Sequence, residues 1–210
     1  MTSVKEMELE IKLRLDSFPD YLKLLGFVGS IDNRSVQTNA FFDDHKRTLQ
    51  KEGWALRVRE QQDLAIVTLK GTATRDRGLT VRREMEAEID RSLARELIHG
   101  TASLIDQKVE PVRYVCDELS VTALQKVVQF QNERQTKDFR IGDYDYLLEI
   151  DKTSFQDGSV DYELEVELDR RDQYDVVVDR LQKMFSSLGI DFNYQADSKF
   201  KRALQKGSLV

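Results

Sequence analysis

Apolar and polar residues alternate strictly over several stretches of this chain. Residues 6–15 contain Glu8-Leu9-Glu10-Ile11-Lys12, and residues 161–168 contain Glu163-Leu164-Glu165-Val166-Glu167. Successive side chains of a strand point to opposite faces, so Leu9, Ile11, Leu164 and Val166 share one face of their strands and the acids share the other. The same alternation predicts strands at 36–43, 54–60, 65–70, 80–89, 129–140 and 144–153, the last two joined by a turn at Gly142-Asp143. Asp16/Ser17 and Pro19 ahead of Tyr21, Leu22, Leu24 and Leu25 predict a capped helix ending at Gly26. Further helices are predicted at 91–108, around 121–127, at 171–188 and, as a short element, at 197–205, with 71–78 as a loop. No linker or low-complexity segment divides the chain, so residues 1–210 are expected to form one domain. The acidic strand at each end hints at two half-barrels, although the likeness is too short to count as a repeat.

The polar faces carry charge on strand after strand. Trp54, Leu56 and Val58 fall opposite Arg57 and Arg59; Lys70 ends one polar face, Arg82, Glu84, Glu86 and Glu88 form another, and Glu149 with Asp151 mark a third. For any single strand a solvated sheet face is the simpler reading. Across the set, pure runs such as Glu163/Glu165/Glu167 favour strands that close on themselves, with a cationic and an acidic wall inside and apolar faces packed outward against helices. Carboxylates held this close repel one another unless a divalent cation neutralises them. An all-oxygen set is the kind that Mg²⁺, Mn²⁺ or Ca²⁺ prefers.

Composition narrows the chemistry. With 210 residues, 40% of them hydrophobic, the chain is long enough to bury a sizeable core. Its formal net charge of −6 argues against an extended nucleic-acid footprint. One cysteine, Cys116, and two histidines, His45 and His99, leave no disulfide and no zinc cluster. Asp117 and Glu118 beside Cys116 would raise its thiol pKa, so it reads as a structural residue. His45 is expected in a loop and His99 at a helix end. No apolar run has the form of a signal peptide or a membrane span, so a cytoplasmic protein with no membrane partner is expected.

The ordered motifs resemble those of the CYTH superfamily, the triphosphate tunnel metalloenzymes. Glu8-x-Glu10-x-Lys12 is similar to its signature. Phe41-Phe42-Asp43, Leu56-Arg57-Val58-Arg59, Thr68-Leu69-Lys70, Arg82 with Glu84 and Glu86, Arg134, Glu149-Ile150-Asp151, Glu163-Leu164-Glu165-Val166-Glu167 and Ser198-Lys199-Phe200 follow in order over nearly the whole chain. In size and in the closing Lys199 segment the chain looks most like the compact plant-type and bacterial triphosphatases. The resemblance implies an α+β fold with a closed eight-stranded antiparallel β-barrel, helices packed outside, and hydrolysis or transfer at a triphosphate. It implies that Lys12, Arg57, Arg59, Lys70, Arg82, Arg134 and Lys199 bind phosphate oxygens, with Arg14 joining them by parity. Glu8, Glu10, Glu84, Glu86, Glu149, Asp151, Glu165 and Glu167 would hold one or two Mg²⁺ or Mn²⁺ ions, and catalysis would centre on Glu8, Glu10 and Lys12.

Substrate choice is less legible. Inorganic triphosphate, thiamine triphosphate and nucleoside triphosphates share one anionic end. A ring-bearing substrate would want a stacking aromatic, and Trp54 has the parity of the apolar face. Inorganic triphosphate is therefore the expected substrate of a monomer or homodimer. Thiamine or nucleoside triphosphate hydrolysis, adenylate cyclisation and non-catalytic polyphosphate sensing are the alternatives. Phe41-Phe42-Asp43 is expected to pack a strand and fix a turn, and Lys201 and Arg202 to complement a helix C-terminus.

Overall fold

The computed structural model describes residues 7–207. Its strands are β1 Glu8–Leu15, β2 Asn33–Asp43, β3 Ala55–Glu60, β4 Ala65–Lys70, β5 Thr74–Asp76, β6 Leu79–Arg82, β7 Glu84–Glu88, β8 Gln125–Ile141, β9 Tyr144–Ser154, β10 Val160–Glu167 and β11 Asn193–Tyr194. The helices are α1 Phe18–Val28, α2 Thr48–Lys51, α3 Arg91–His99, α4 Glu110–Leu119, α5 Tyr174–Leu188 and α6 Lys199–Gln205. All eleven strands join one antiparallel sheet in the order β5-β6-β1-β10-β9-β8-β2-β3-β4-β7, with β11 beside β1.

This ladder is not closed, and the expected eight-stranded closed barrel is corrected accordingly. The segment 80–89, expected as one strand, is two. β6 pairs with β1 and β7 pairs with β4, towards opposite ends of the strand order. Arg83 alone separates them, and its carbonyl accepts from the Gly71 amide at 2.9 Å, at the end of β4. The chain thus steps from one flank of the sheet to the other within a single residue.

Other boundaries moved for identifiable reasons. α1 runs through Gly26 to Val28, because Val28 is buried and the positive-φ residue that stops the helix is Gly29 (φ 72°). Ser17 caps its start, accepting from the Asp20 amide at 3.2 Å, as the Ser-x-Pro pattern predicts. The helix expected over 91–108 ends at His99, where Gly100 adopts φ 79°. The one expected near 121–127 is instead α4, opened by Pro111 in its first turn and burying Val112 and Val115. The loop expected at 71–78 contains β5, which hairpins onto β6.

The apolar faces pack outward in two layers. Ile11, Leu13, Leu148, Ile150, Leu164 and Val166 meet α1 and α5, while Leu56, Val58, Val67, Leu69 and Met85 meet α3 and α4. Each fully buried aliphatic side chain of this kind contributes about 1.5–3 kcal/mol. With the apolar residues committed outward, charged residues of alternate parity in the middle of the strands are carried to the inner face. No helix among the described residues is long and apolar enough to cross a membrane.

Candidate active site

The inner faces surround a cavity of about 810 Å³. Antiparallel register sets its chemistry, because it opposes Lys12 to Glu165, Glu8 to Arg82, Lys70 to Glu84 and Arg134 to Asp151 across neighbouring strands. The expected cationic and acidic walls are therefore not segregated. Acids and cations interleave, and most of the cations are already engaged.

At one side, Arg82 donates to Glu8 at 2.5 Å and to Glu10 at 2.8 Å. Lys70 bridges Glu8 at 3.3 Å and Glu84 at 2.9 Å. Burial opposes ionisation of Glu8, but Lys70, Arg82 and Lys12 outweigh it and hold its pKa far below the usual carboxylate range. Glu84 goes the other way: burial and neighbouring Glu8 push it up to about 7 against the pull of Lys70. Arg57 donates to Thr68 Oγ1 at 3.0 Å, and Thr68 donates in turn to Glu86 at 2.9 Å.

At the other side Arg134 is the hub. It grips Asp151 through Nε at 2.8 Å and Nη2 at 2.6 Å, donates to Glu165 at 2.6 Å and touches Glu149. Burial, helped by Glu165, Asp151 and Glu167, pushes Glu149 up to about 7 against Arg134. Asp151, more deeply buried still, is held down at about 2 by Arg134 and Lys199. Lys199 reaches in from the first residue of α6 to Asp151 at 2.8 Å, Glu165 at 3.0 Å and Glu163. Arg202, one turn on, donates to Glu163 at 2.5 Å and lies 2.9 Å from Asp161. A basic stripe on α6 therefore reads alternate acids of β10. Arg202 is buried in this contact, contrary to the expectation that it merely complements a helix end, whereas exposed Lys201 pairs with Asp197 one turn back.

Carboxylate oxygens of Asp151, Glu163 and Glu165 lie within 4.8 Å of one another, and all three residues are buried. Three converging oxygen donors fit a hard divalent cation such as Mg²⁺ or Mn²⁺. Glu163 was not among the expected ligands. Its parity with Glu165 and Glu167 was the available signal.

Arg59 stands apart. Its Nε donates to Asn39 Oδ1 at 3.0 Å, and no carboxylate among the described residues lies within ion-pair distance of it. Burial, with Arg57 and Arg134 beside it, pushes its pKa down to about 9 against the weaker opposing pull of Glu149 and Asp151. Lys12 shows the opposite balance: burial disfavours its charge, but Glu10 and Glu165 outweigh burial and raise its pKa.

Of the expected site residues, Glu8, Glu10, Lys12, Arg57, Arg59, Lys70, Arg82, Glu84, Glu86, Arg134, Glu149, Glu165, Glu167 and Lys199 all line the cavity. Asp151 lies just behind Arg134 and Lys199, with no exposed surface. Arg14 does not join them: half exposed at the far end of β1, it pairs with Asp16. Asp43 caps α2, accepting from the Leu49 and Gln50 amides at 2.9 and 3.1 Å, and His45 lies in an exposed turn. Trp54 packs its ring on Tyr114 at 5.0 Å, outside the sheet, while reaching the cavity rim. Phe41, Phe130 and Phe200 line the cavity, with Phe41 and Phe200 stacked at 4.5 Å. Strand alternation sends Phe41 inward and Phe42 outward to a different packing cluster, and a bulge at Val127 of the facing strand β8 shifts the register between them.

The model of the CYTH domain matches residues 6–200. The chain belongs to the CYTH family. This CYTH chain is similar to HpAC1 from Hippeastrum, described as a candidate adenylyl cyclase with a dominant triphosphatase activity. The two share 27% identity and a TM-score of 0.83, over 97% of each chain. It shares the fold of a candidate adenylate cyclase, bh2851, from Bacillus halodurans, at 21% identity and TM-score 0.70 over 94% of this chain and 98% of that one. It also shares the fold of the PH1819 protein from Pyrococcus horikoshii, at 16% identity and TM-score 0.61 over 94% and 99%. No curated protein matches the chain.

Proposed function

We propose that this CYTH protein is a metal-dependent inorganic triphosphatase that converts triphosphate and water to diphosphate and phosphate. The observation that carries the reading is Arg59: a half-buried guanidinium facing the cavity with no directly paired carboxylate among the described residues, beside Arg57 and Arg134. A partly desolvated charge with no direct counter-charge is costly, and a polyanion in the cavity would supply one. Arg57, Arg59, Lys12, Lys70, Arg82 and Arg134 would bind and orient phosphoryl oxygens. Asp151, Glu163 and Glu165 would hold one divalent ion, and Glu8 and Glu10 a second. Bound there, such ions supply Lewis acidity towards phosphoryl oxygens and a lowered pKa for water. HpAC1, with its dominant triphosphatase activity, supports the same reading.

A specific observation favours a second substrate class. Phe41, Phe130 and Phe200 line the cavity, so a stacking surface exists that Trp54 alone does not provide. An organic triphosphate, of thiamine or a nucleoside, would use it. Phosphate release from inorganic triphosphate, thiamine triphosphate, ATP and diphosphate, each with Mg²⁺, Mn²⁺ or EDTA, tests both. Metal-dependent cleavage of inorganic triphosphate ahead of the others supports the first reading, and preference for a ring-bearing substrate supports the second. Binding of triphosphate without any turnover overturns both in favour of a sensor or a cyclase.

A further inference from the structure

Arg59 and Arg134 enter the cavity from β3 and β8, the two strands that flank β2. The two differ in what holds them. Arg134 Nε donates to a carboxylate oxygen of Asp151, whereas Arg59 Nε donates to the amide oxygen of Asn39. Asn39 is the cross-strand partner of Arg59 in the β2–β3 register and is 1% exposed. The side chains beyond it are neutral as well. Thr153 donates to Asn132 at 2.8 Å, Asn132 to Gln37 at 3.3 Å, and Gln37 to Gln61 at 3.3 Å. Gln37, Asn132 and Thr153 are all buried.

An aspartate at position 39 would be nearly isosteric and would compensate the guanidinium. Asparagine orients it without compensating it. We propose that Asn39 is a positioning residue: an uncharged acceptor that fixes Arg59 through Nε and leaves its full charge and terminal nitrogens for an anionic ligand. This rests on the triphosphate reading above. Asn39 Nδ2 in turn donates to the Gln37 main-chain carbonyl at 3.5 Å, and with no described carboxylate paired directly to Arg59, its charge is matched fully only on binding.

The test is Asn39→Asp, assayed for KM and kcat with Mg²⁺ and inorganic triphosphate, and for metal-free Tm without ligand. The expected result is a KM raised about 10–100-fold, the weight of a charge-assisted hydrogen bond. kcat should change less than about 3-fold, since the reacting centre is untouched. Tm should hold or rise, because the Arg59 charge gains a partner. The KM effect should vanish in an Arg59→Ala background, where Asn39 has nothing to position. If Asn39→Asp does not fold, Asn39→Ala carries the test, with a smaller KM rise that also disappears beside Arg59→Ala. An unchanged KM, or an equal rise with and without Arg59, overturns the proposal. A wild-type protein that neither binds nor cleaves triphosphate overturns the underlying reading instead.

Discussion

Lys12 Nζ lies 2.6 Å from Glu165 Oε1, and the two residues are register partners across β1 and β10. The same ammonium is 3.0 Å from Glu10. A residue suited to gripping phosphate is thus also a structural counter-ion for two buried acids.

Lys12→Met should therefore destabilise the metal-free protein by about 3–5 kcal/mol, the usual cost of removing one partner from a buried ion pair. Urea denaturation checks this. Mn²⁺ should restore part of the loss by neutralising the same carboxylates. A lysine that served only as a substrate ligand would leave the urea midpoint unchanged.

Metal-free stability should fall as pH rises towards and past neutrality. Glu84 and Glu149 have folded pKa values of about 7 against an ordinary value of 4.5, so between these limits the folded chain binds more protons than the unfolded one. Their contribution is complete below the unfolded value and is lost as pH rises through the folded one. Glu8, Asp151 and Glu165 are shifted down and act oppositely, losing their contribution as pH falls. Tm in EDTA should thus peak on the acidic side of neutrality. Glu149→Gln should flatten the alkaline decline, and Mg²⁺ or Mn²⁺ should raise Tm more at about pH 8 than at about pH 5.5, because metal ligands must be deprotonated. A Tm that climbs from pH 5.5 to 8 in EDTA would count against these shifts.

Glu8→Gln should separate catalysis from binding. Removing a carboxylate from the region proposed to hold the second ion should lower kcat on the order of 10²–10³-fold, as for loss of one electrostatic stabiliser. KM should stay within about 3-fold, because Arg57, Arg59 and Arg134 are untouched. Steady-state kinetics on inorganic triphosphate decides it. A KM that rises in proportion, with kcat preserved, would place Glu8 in the binding set alone.

Much of the fold was legible in the chain. The strands around Glu8, Arg57, Lys70, Glu149 and Glu165 follow from alternation, and the start of α1 follows from Ser17 and Pro19. The break at Arg83 was not legible, since residues 80–89 alternate through it and only the competing claim of Gly71 on its carbonyl ends the pairing. Apolar periodicity places a helix near 121–127, whereas α4 begins at Glu110-Pro111, where proline opens the first turn. Among site residues, parity placed the cations and acids on the inner face but could not see that β1 outruns the cavity before Arg14. Nor could it assign Glu163 to Lys199 and Arg202, a contact that joins residues about 36 positions apart.

The sequence by itself determined which side chains share a face, because alternation is a local property of an extended backbone. It also determined that those faces are charged, and therefore that something ionic must meet them. Only the tertiary structure decided which charge neutralises which. Strand order and register bring Lys12 to Glu165 and Arg134 to Asp151, yet leave Arg59 with an amide. Register is settled between distant segments by packing of their apolar faces, and no local pattern carries that information.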